Sequence, residues 1–315
     1  MTRMSRRPST VLAMTAVAAL ALAVSACSSI SSASGSSAVA TGASAATTAA
    51  ASATGSATAT GSAGPACSNA AIQPDLFAKG QLTVATDSPA YPPWFVSNKP
   101  SNGQGYESAV SYAIAKQLGF TDAQVTWVTE PFDSSYAPGP KKFDFDVNEI
   151  SYSAQRAQAV TFSDSYFDVR QALVALKSSP IVTRHSPGDL KGYVFGDQIG
   201  TTSLAFINGQ IQPTKTPKVF NTLNDVKQAL ATKQIAALVA DTPTAQFISS
   251  AQIPGSVLVG QFPSTGEHYG LLLAKGNPLV TCVNQAIASL KSDGTLDSLQ
   301  KKYLQDFLAV PTIAP

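Results

Sequence analysis

Histidine occurs only twice in the 315 residues, at His185 and His268, and cysteine three times, at Cys27, Cys67 and Cys282. There is no Cys-x-x-Cys. Two distant histidines supply neither a zinc cluster nor a Ser/His/Asp relay by spacing, so redox, metal and triad chemistry are set aside and no cofactor is expected. Charge is sparse as well, at 13% of residues. Residues 1–66 carry Arg3, Arg6 and Arg7 and no acid, and the remainder holds 18 basic and 19 acidic residues. With its basic excess confined to one end, the chain has no polyanion-binding face, and nucleic acid is not an expected partner. The uncharged run from Val11 to Val24 has 14 residues, short of the roughly 20 that cross a bilayer as a helix.

What is present at the N-terminus reads as an address. Three arginines followed by that short apolar run have the form of a secretory signal, residues 1–26. The sequence Val24-Ser25-Ala26-Cys27 resembles the lipobox of bacterial lipoproteins, which implies lipidation at Cys27 and a membrane anchor on the extracytoplasmic face. The alternative is an ordinary signal cut near Ala26 that leaves Cys27 unmodified. From Ser28 to Ala66, 36 of 39 residues are Ser, Ala, Thr or Gly. Such a segment buries too little apolar surface to offset its chain entropy, so 27–66 is expected to be a disordered tether. With Cys27 assigned to lipid, Cys67 and Cys282 form an even pair in an exported chain. They are expected to bridge, the alternative being two buried thiols.

Beyond residue 67 the pattern alternates strands with helices. Leu82-Thr83-Val84-Ala85-Thr86 is a β-rich run ending at Asp87. Apolar residues at 106, 109, 110, 113, 114 and 118 form a helical stripe closed by Gly119. Further strands are expected at 125–128, 143–147 and 171–176. The pattern then restarts with a strand at 193–195, a helix opening at Thr201-Thr202, a cap at Thr222-Leu223-Asn224-Asp225 and a strand at 235–240 ending at Asp241. A strand at 269–274 and helices at 278–290 and 296–307 follow. Repeated strand–helix units predict an α/β fold with mostly parallel sheets, whose ligands bind off the carboxyl ends of strands.

Several segments, in order, carry a more specific signal: Thr86-Asp87 with Tyr91-Pro92-Pro93-Trp94, Glu130-Pro131-Phe132-Asp133, Ser151-Tyr152-Ser153-Ala154-Gln155-Arg156, Gly200-Thr201-Thr202, Ala240-Asp241-Thr242-Pro243 and Tyr269-Gly270-Leu271. Together they resemble the extracellular solute-binding proteins of family 3, the polar amino-acid receptors of ABC importers. The resemblance implies a two-lobed periplasmic-binding-protein-like fold of type II, with two hinge strands and the ligand in the cleft between the lobes. Lobe one is expected at 67–176 and 270–315 and lobe two at 177–269, with crossovers near Leu176 and Tyr269. The implied partners are an amino-acid ligand and membrane permease subunits, with the receptor itself a monomer.

The same resemblance assigns roles. Arg156 clamps the ligand α-carboxylate, for which a guanidinium fork suits two parallel charge-assisted bonds. Ser151 adds a contact to the same group, and Thr201 and Thr202 offer it the start of a helix. Asp241 accepts from the α-ammonium, and Tyr91 and Phe132 stack on the ligand. Trp94 either lines that wall or packs in lobe one. Asp87 either meets the ligand side chain or caps its strand. Glu149, where the family has a small residue or an amide, either faces the pocket and selects a cationic or amide group or turns outward. Glu107 is followed by Ser108-Ala109 where the family has an apolar residue and a second acid. Pro138-Gly139-Pro140 implies a stiff loop in place of a helix.

An enzyme on this fold needs a general acid–base pair, for which Glu149 is the candidate; the expectation is a binder. A glycan-cleaving relative would carry a further domain, and a sensor module a transmembrane segment after the lobes; neither is expected from this sequence. Arg156→Ala is expected to abolish binding and leave unfolding nearly unchanged.

Overall fold

The computed structural model describes residues 67–313. The signal segment, Cys27 and the 28–66 stretch lie outside the described residues. In chain order the strands are β1 (Leu82–Thr86), β2 (Val125–Thr129), β3 (Phe145–Asp146), β4 (Val160–Asp168), β5 (Gln171–Leu176), β6 (Gly196–Gln198), β7 (Lys218–Phe220), β8 (Ala237–Asp241), β9 (Ser256–Gln261) and β10 (His268–Ala274).

Lobe one is built on a sheet ordered β2-β1-β3-β10-β4, and lobe two on β8-β5-β9 with the β6-β7 pair attached through a parallel bridge between Phe195 and Ala237. The expectation of parallel sheets holds for part of this. β1 pairs in parallel with β2 and β3, and β6 with β7, but β10 and β5 run antiparallel to every neighbour they have. The exceptions have a topological cause. β5 and β10 are the two strands that enter a lobe directly from the other one, so they start at the cleft and run away from it. All the others end at the cleft, which delivers the residues after β1, β2, β3, β6, β7 and β8 to one place.

The change of sheet occurs at Val169-Arg170 and again between Gln261 and His268. The first lies ahead of the expected crossover at Leu176, because Gln171–Leu176 already pairs with both β8 and β9. The chain also does not finish in lobe one. After the Thr295–Leu308 helix, Gln261 N donates to Pro311 O at 2.8 Å and Ile313 N to Gln261 O at 2.7 Å, and the Ile313 side chain is buried in the lobe-two core. Residues 309–313 therefore extend lobe two, where 270–315 was expected to belong wholly to lobe one.

Three strands were not read from the sequence: β4, which interrupts its apolar positions with Ser163, Asp164 and Ser165 and is bulged against β10, the three-residue β7, and β9.

The lobe-one core is aromatic. Trp94 is fully buried, edge-on to Tyr106, Phe167 and Tyr269 at centroid distances of 6.0, 5.3 and 5.4 Å. Cys67 is joined to Cys282 of the Leu279–Ser292 helix, a bridge spanning 215 residues of chain. Among the described residues no helix is long and apolar enough to cross a membrane.

Candidate functional site

The strand ends converge on a cavity of about 600 Å³ between the lobes. Lobe one contributes Asp87, Tyr91, Phe132, Asn148 and Glu149; lobe two contributes Asp197, Thr201, Asn224, Asp241 and Thr244. Every residue on the wall that ionises to a charge near neutral pH is an acid: Asp87, Asp133, Glu149, Asp197 and Asp241.

The lobes are drawn together by side-chain bonds. Tyr91 Oη donates to Asn224 Oδ1 at 2.9 Å, and Trp94 Nε1 donates to Thr244 Oγ1 at 2.7 Å, which in turn donates to Glu149 Oε2 at 2.6 Å. Trp94 thus reaches the cleft only by its indole N–H. Its ring is core and does not line the cavity, which decides between the two readings of that residue.

Glu149 lies on the cavity wall with φ at 52°, a left-handed conformation costing roughly 1 kcal/mol or more for a non-glycine residue. Its N–H donates at 2.7 Å to Glu107 Oε1, which also accepts from Tyr166 Oη at 2.5 Å, while Glu107 Oε2 has no partner among the described residues. Burial pushes Glu107 up to about 8 and, together with the charge of Glu107, pushes Glu149 up to about 8. The sequence placed Glu107 in the family pattern but gave it no role beside Glu149. The available signal was its place on the same helical face as Val110 and Ile114, where an acid is out of character.

Asp241 ends β8 and immediately precedes the Thr242–Phe247 helix, without a side-chain capping bond. Its Oδ1 accepts from Gln171 Nε2 at 2.7 Å and its Oδ2 accepts from the Tyr269 hydroxyl. Burial first, then Glu267 and Glu149, raise its pKa well above the carboxylate range. Asp197 is likewise raised by burial, although Gln198 N and Val239 N both donate to it. Asp87 accepts from Ser88 N at 2.6 Å and distantly from Phe132 N at 3.4 Å, so the strand-end cap and a place on the wall coexist. Asn148 Nδ2 is a buried donor without a partner on the same wall.

Of the residues expected to hold a carboxylate, Thr201 lines the cavity, and Arg156, Ser151 and Thr202 sit behind its wall. Arg156 is 8% exposed, its Nη1 donating to Ser151 O at 2.7 Å and its Nη2 to Gly200 O at 2.9 Å in the opposite lobe. Its guanidinium lies 4.6 Å from the Tyr136 ring centre and 5.4 Å from that of Phe132. Gly200 has φ of 74°, and a Cβ there would collide with the Tyr136 hydroxyl, so glycine is required for this approach. Ser151 Oγ donates to Glu267 Oε1 at 2.6 Å, and Thr202 Oγ1 donates to Ser151 Oγ at 3.4 Å. Thr201 Oγ1 donates to Gln198 O and accepts from Leu204 N as the N-cap of the Thr202–Phe206 helix. Of the ten expected ligand contacts, Asp87, Tyr91, Phe132, Glu149, Thr201 and Asp241 line the cavity, and Trp94, Ser151, Arg156 and Thr202 do not. His185 and His268 are also off the wall, and no group of three His, Cys, Asp or Glu side chains among the described residues could hold a metal ion.

The model of the bacterial extracellular solute-binding proteins, family 3, matches residues 82–306. The chain belongs to this family. A protein of Campylobacter jejuni described as a probable histidine-binding protein is 29% identical over 249 residues, 76% of this chain and 92% of the relative. A solved ancestral arginine-binding protein bound to arginine is 29% identical with a TM-score of 0.58, covering 71% of this chain and 98% of that one. An ancestral amino-acid-binding protein described as a precursor of cyclohexadienyl dehydratase is 28% identical with a TM-score of 0.59, covering 72% and 96%. This family-3 chain has the two-lobed α/β fold and is a substrate-binding protein of the ABC-importer class.

Proposed function

We propose that the chain is the receptor of an amino-acid ABC importer, and that its lobes close on a small cationic solute of the basic amino-acid kind for delivery to a permease. The observation that carries this reading is the wall of the cavity, where five carboxyl groups face inward with no lysine or arginine among them. Burial raises the pKa values of Glu149, Asp197 and Asp241, and a bound cation makes their ionised forms favourable. Contacts from both lobes to one ligand favour the closed state, the requirement for a population shift. Histidine- and arginine-binding relatives support the choice of ligand class.

The reading includes a lipid on Cys27, a monomeric receptor and no catalysis. Neither histidine lies on the cavity wall, and the raised carboxyl Glu149 is bonded to Thr244. A thermal-shift screen of the standard amino acids should give its largest stabilisation with arginine, lysine or histidine. Recovery of the ligand unchanged separates a receptor from a dehydratase. Replacing Cys27 should release the protein from the membrane fraction, and retention there would count against the anchor.

A further inference from the structure

The near-neutral total of residues 67–315 hides an uneven division. Residues 170–261, the main part of lobe two, hold eight basic and four acidic residues, and the remainder holds ten basic and fifteen acidic. Two of the four lobe-two acids, Asp197 and Asp241, line the cleft. Strand direction decides where the basic residues go. β5 runs away from the cleft and β6, β7 and β8 run toward it, so the segment after β5 and the segments before the other three share the far end of lobe two. Those segments carry Lys177, Arg184, Lys191, Lys215, Lys218 and Lys233, all exposed, against one acid, Asp189. Main-chain bonds join them into one surface: Thr214 N donates to Lys191 O at 2.8 Å, Lys218 N to Phe195 O at 2.9 Å and Ala236 N to Val194 O at 2.7 Å. Arg184 Nε donates to Tyr193 Oη at 3.2 Å on the same end. A second cavity, of about 360 Å³, opens there between Leu176, Ser179, Val194 and Ile235, and Lys233 is the charged side chain on its wall. The cleft is walled by acids, and the opposite end of the same lobe is covered by bases.

We infer that the far end of lobe two is a docking surface for anionic lipid headgroups, by which the receptor lies against the membrane that carries it. Five of the six cations are lysines, compact charges on flexible stems, which suit a diffuse anionic layer better than the fixed fork geometry of a single carboxylate partner. Basic side chains near such a layer each add to the attraction, and their effects accumulate when they share one surface. The inference goes beyond ligand capture and rests on the reading that Cys27 holds the chain at a membrane. Cys27 and Cys67 are 40 residues apart, which fully extended reach about 130–140 Å, so an anchor at Cys27 leaves this end free to meet the surface. Anchoring also keeps the headgroups at high effective concentration, so a patch of modest intrinsic affinity is enough. The expectation of no polyanion-binding face rested on the total charge, which the fold divides.

The experiment measures co-flotation of the full chain with vesicles of phosphatidylcholine alone and of equal parts phosphatidylcholine and phosphatidylglycerol. Wild type is compared with a lobe-two variant, Lys177→Gln, Lys191→Gln, Lys218→Gln and Lys233→Gln together, and with a lobe-one control, Lys79→Gln, Lys99→Gln, Lys116→Gln and Lys291→Gln together. A lipid on Cys27 and the N-terminal arginines act alike in all three, so the preference for anionic over neutral vesicles isolates the altered lysines. That preference should fall about tenfold or more in the lobe-two variant and stay near the wild-type value in the control. A smaller fall in the first, or an equal fall in the second, overturns the inference, as does a wild type without any preference, which would leave this end to an acidic protein surface. Should the lobe-two variant fail to fold, salt decides: raising sodium chloride from about 0.05 to about 0.5 M should abolish the wild-type preference, and one that survives overturns the inference. Failure of the Cys27 reading has a separate readout, retention of the Cys27 variant in the membrane fraction.

Discussion

Two groups of polar residues share the cleft and behave differently. On the hinge side, Arg156, Ser151, Gln171, Glu267 and Asp241 are bonded to one another or to main-chain carbonyls. On the cavity wall, Glu149 and Asp197 also have partners, whereas Asp87 has a neighbouring N–H and one long contact and Asn148 Nδ2 has no partner among the described residues. The first group is satisfied by the protein and fixes how the lobes meet. In the second, Asp87 and Asn148 are left for a ligand. Fully bonded buried networks give rigidity, and unpaired wall groups give selectivity, because each mismatched ligand leaves one of them unmade.

The largest effect should come from breaking the hinge-side group at its cation. Arg156→Ala removes the bridge from Ser151 to Gly200 and the charge between the two aromatic rings, and should weaken ligand binding by about 100-fold, or about 3 kcal/mol. The structure alters the accompanying expectation that unfolding stays unchanged. Arg156 is buried and satisfies two carbonyls, so the variant should also unfold earlier, by about 1–3 kcal/mol. Calorimetry with urea unfolding checks both, and wild-type affinity would count against any binding role for this residue.

A smaller effect, on the cavity wall, is a dependence on pH. Glu107 and Glu149 are held near 8 in the folded protein, above their ordinary 4.5, by burial first, with the charges of Asp146 and Asp241 adding for Glu107 and that of Glu107 for Glu149. Between those values the folded chain keeps protons that the unfolded chain has released. Stability is therefore fully present below about 4.5, falls as pH rises and levels off above about 8. The unfolding midpoint should drop by on the order of 10 °C or more from pH 5 to pH 8. Cation affinity should move the other way and rise toward pH 8, since the ligand binds the ionised wall. Glu149→Gln should flatten both profiles; two unchanged profiles would remove the proton linkage from this pair.

The same contrast explains what could be read in advance. Wall residues sit near the ends of β strands, and strand ends follow from the alternation of apolar and polar residues; Asp87 and Asp241 were legible for that reason, and Phe132 and Glu149 through the family resemblance. The hinge-side group is assembled from distant segments. Gln171 opens a strand, and Glu267 follows Ser264-Thr265-Gly266 in what reads as an ordinary solvated turn, so neither carries a local signal. Asp197 lay unnoticed because β6 runs from Gly196 to Gln198, three residues on from the expected 193–195. The two-lobed fold was legible, but its crossover points were not. β4 and β5 are separated by two residues, and both are apolar enough to belong to either sheet.

The smallest test separates the two groups at a point where they touch. Tyr91 lines the cavity and also crosses it, its hydroxyl donating to Asn224 and its ring 4.4 Å from Lys227 Nζ. Tyr91→Phe keeps the ring, and with it the contact to Lys227 and any stacking on the ligand, and deletes one partly exposed interlobe bond. Such a bond is worth about 0.5–1.5 kcal/mol, so affinity should fall by about three- to tenfold through a less favourable closed state. The preference among ligands should stay as it was, because the acids that select are untouched. A change in ligand ranking would mean that the Tyr91 hydroxyl itself reads the ligand, and would move this residue from the closing contacts to the selecting ones.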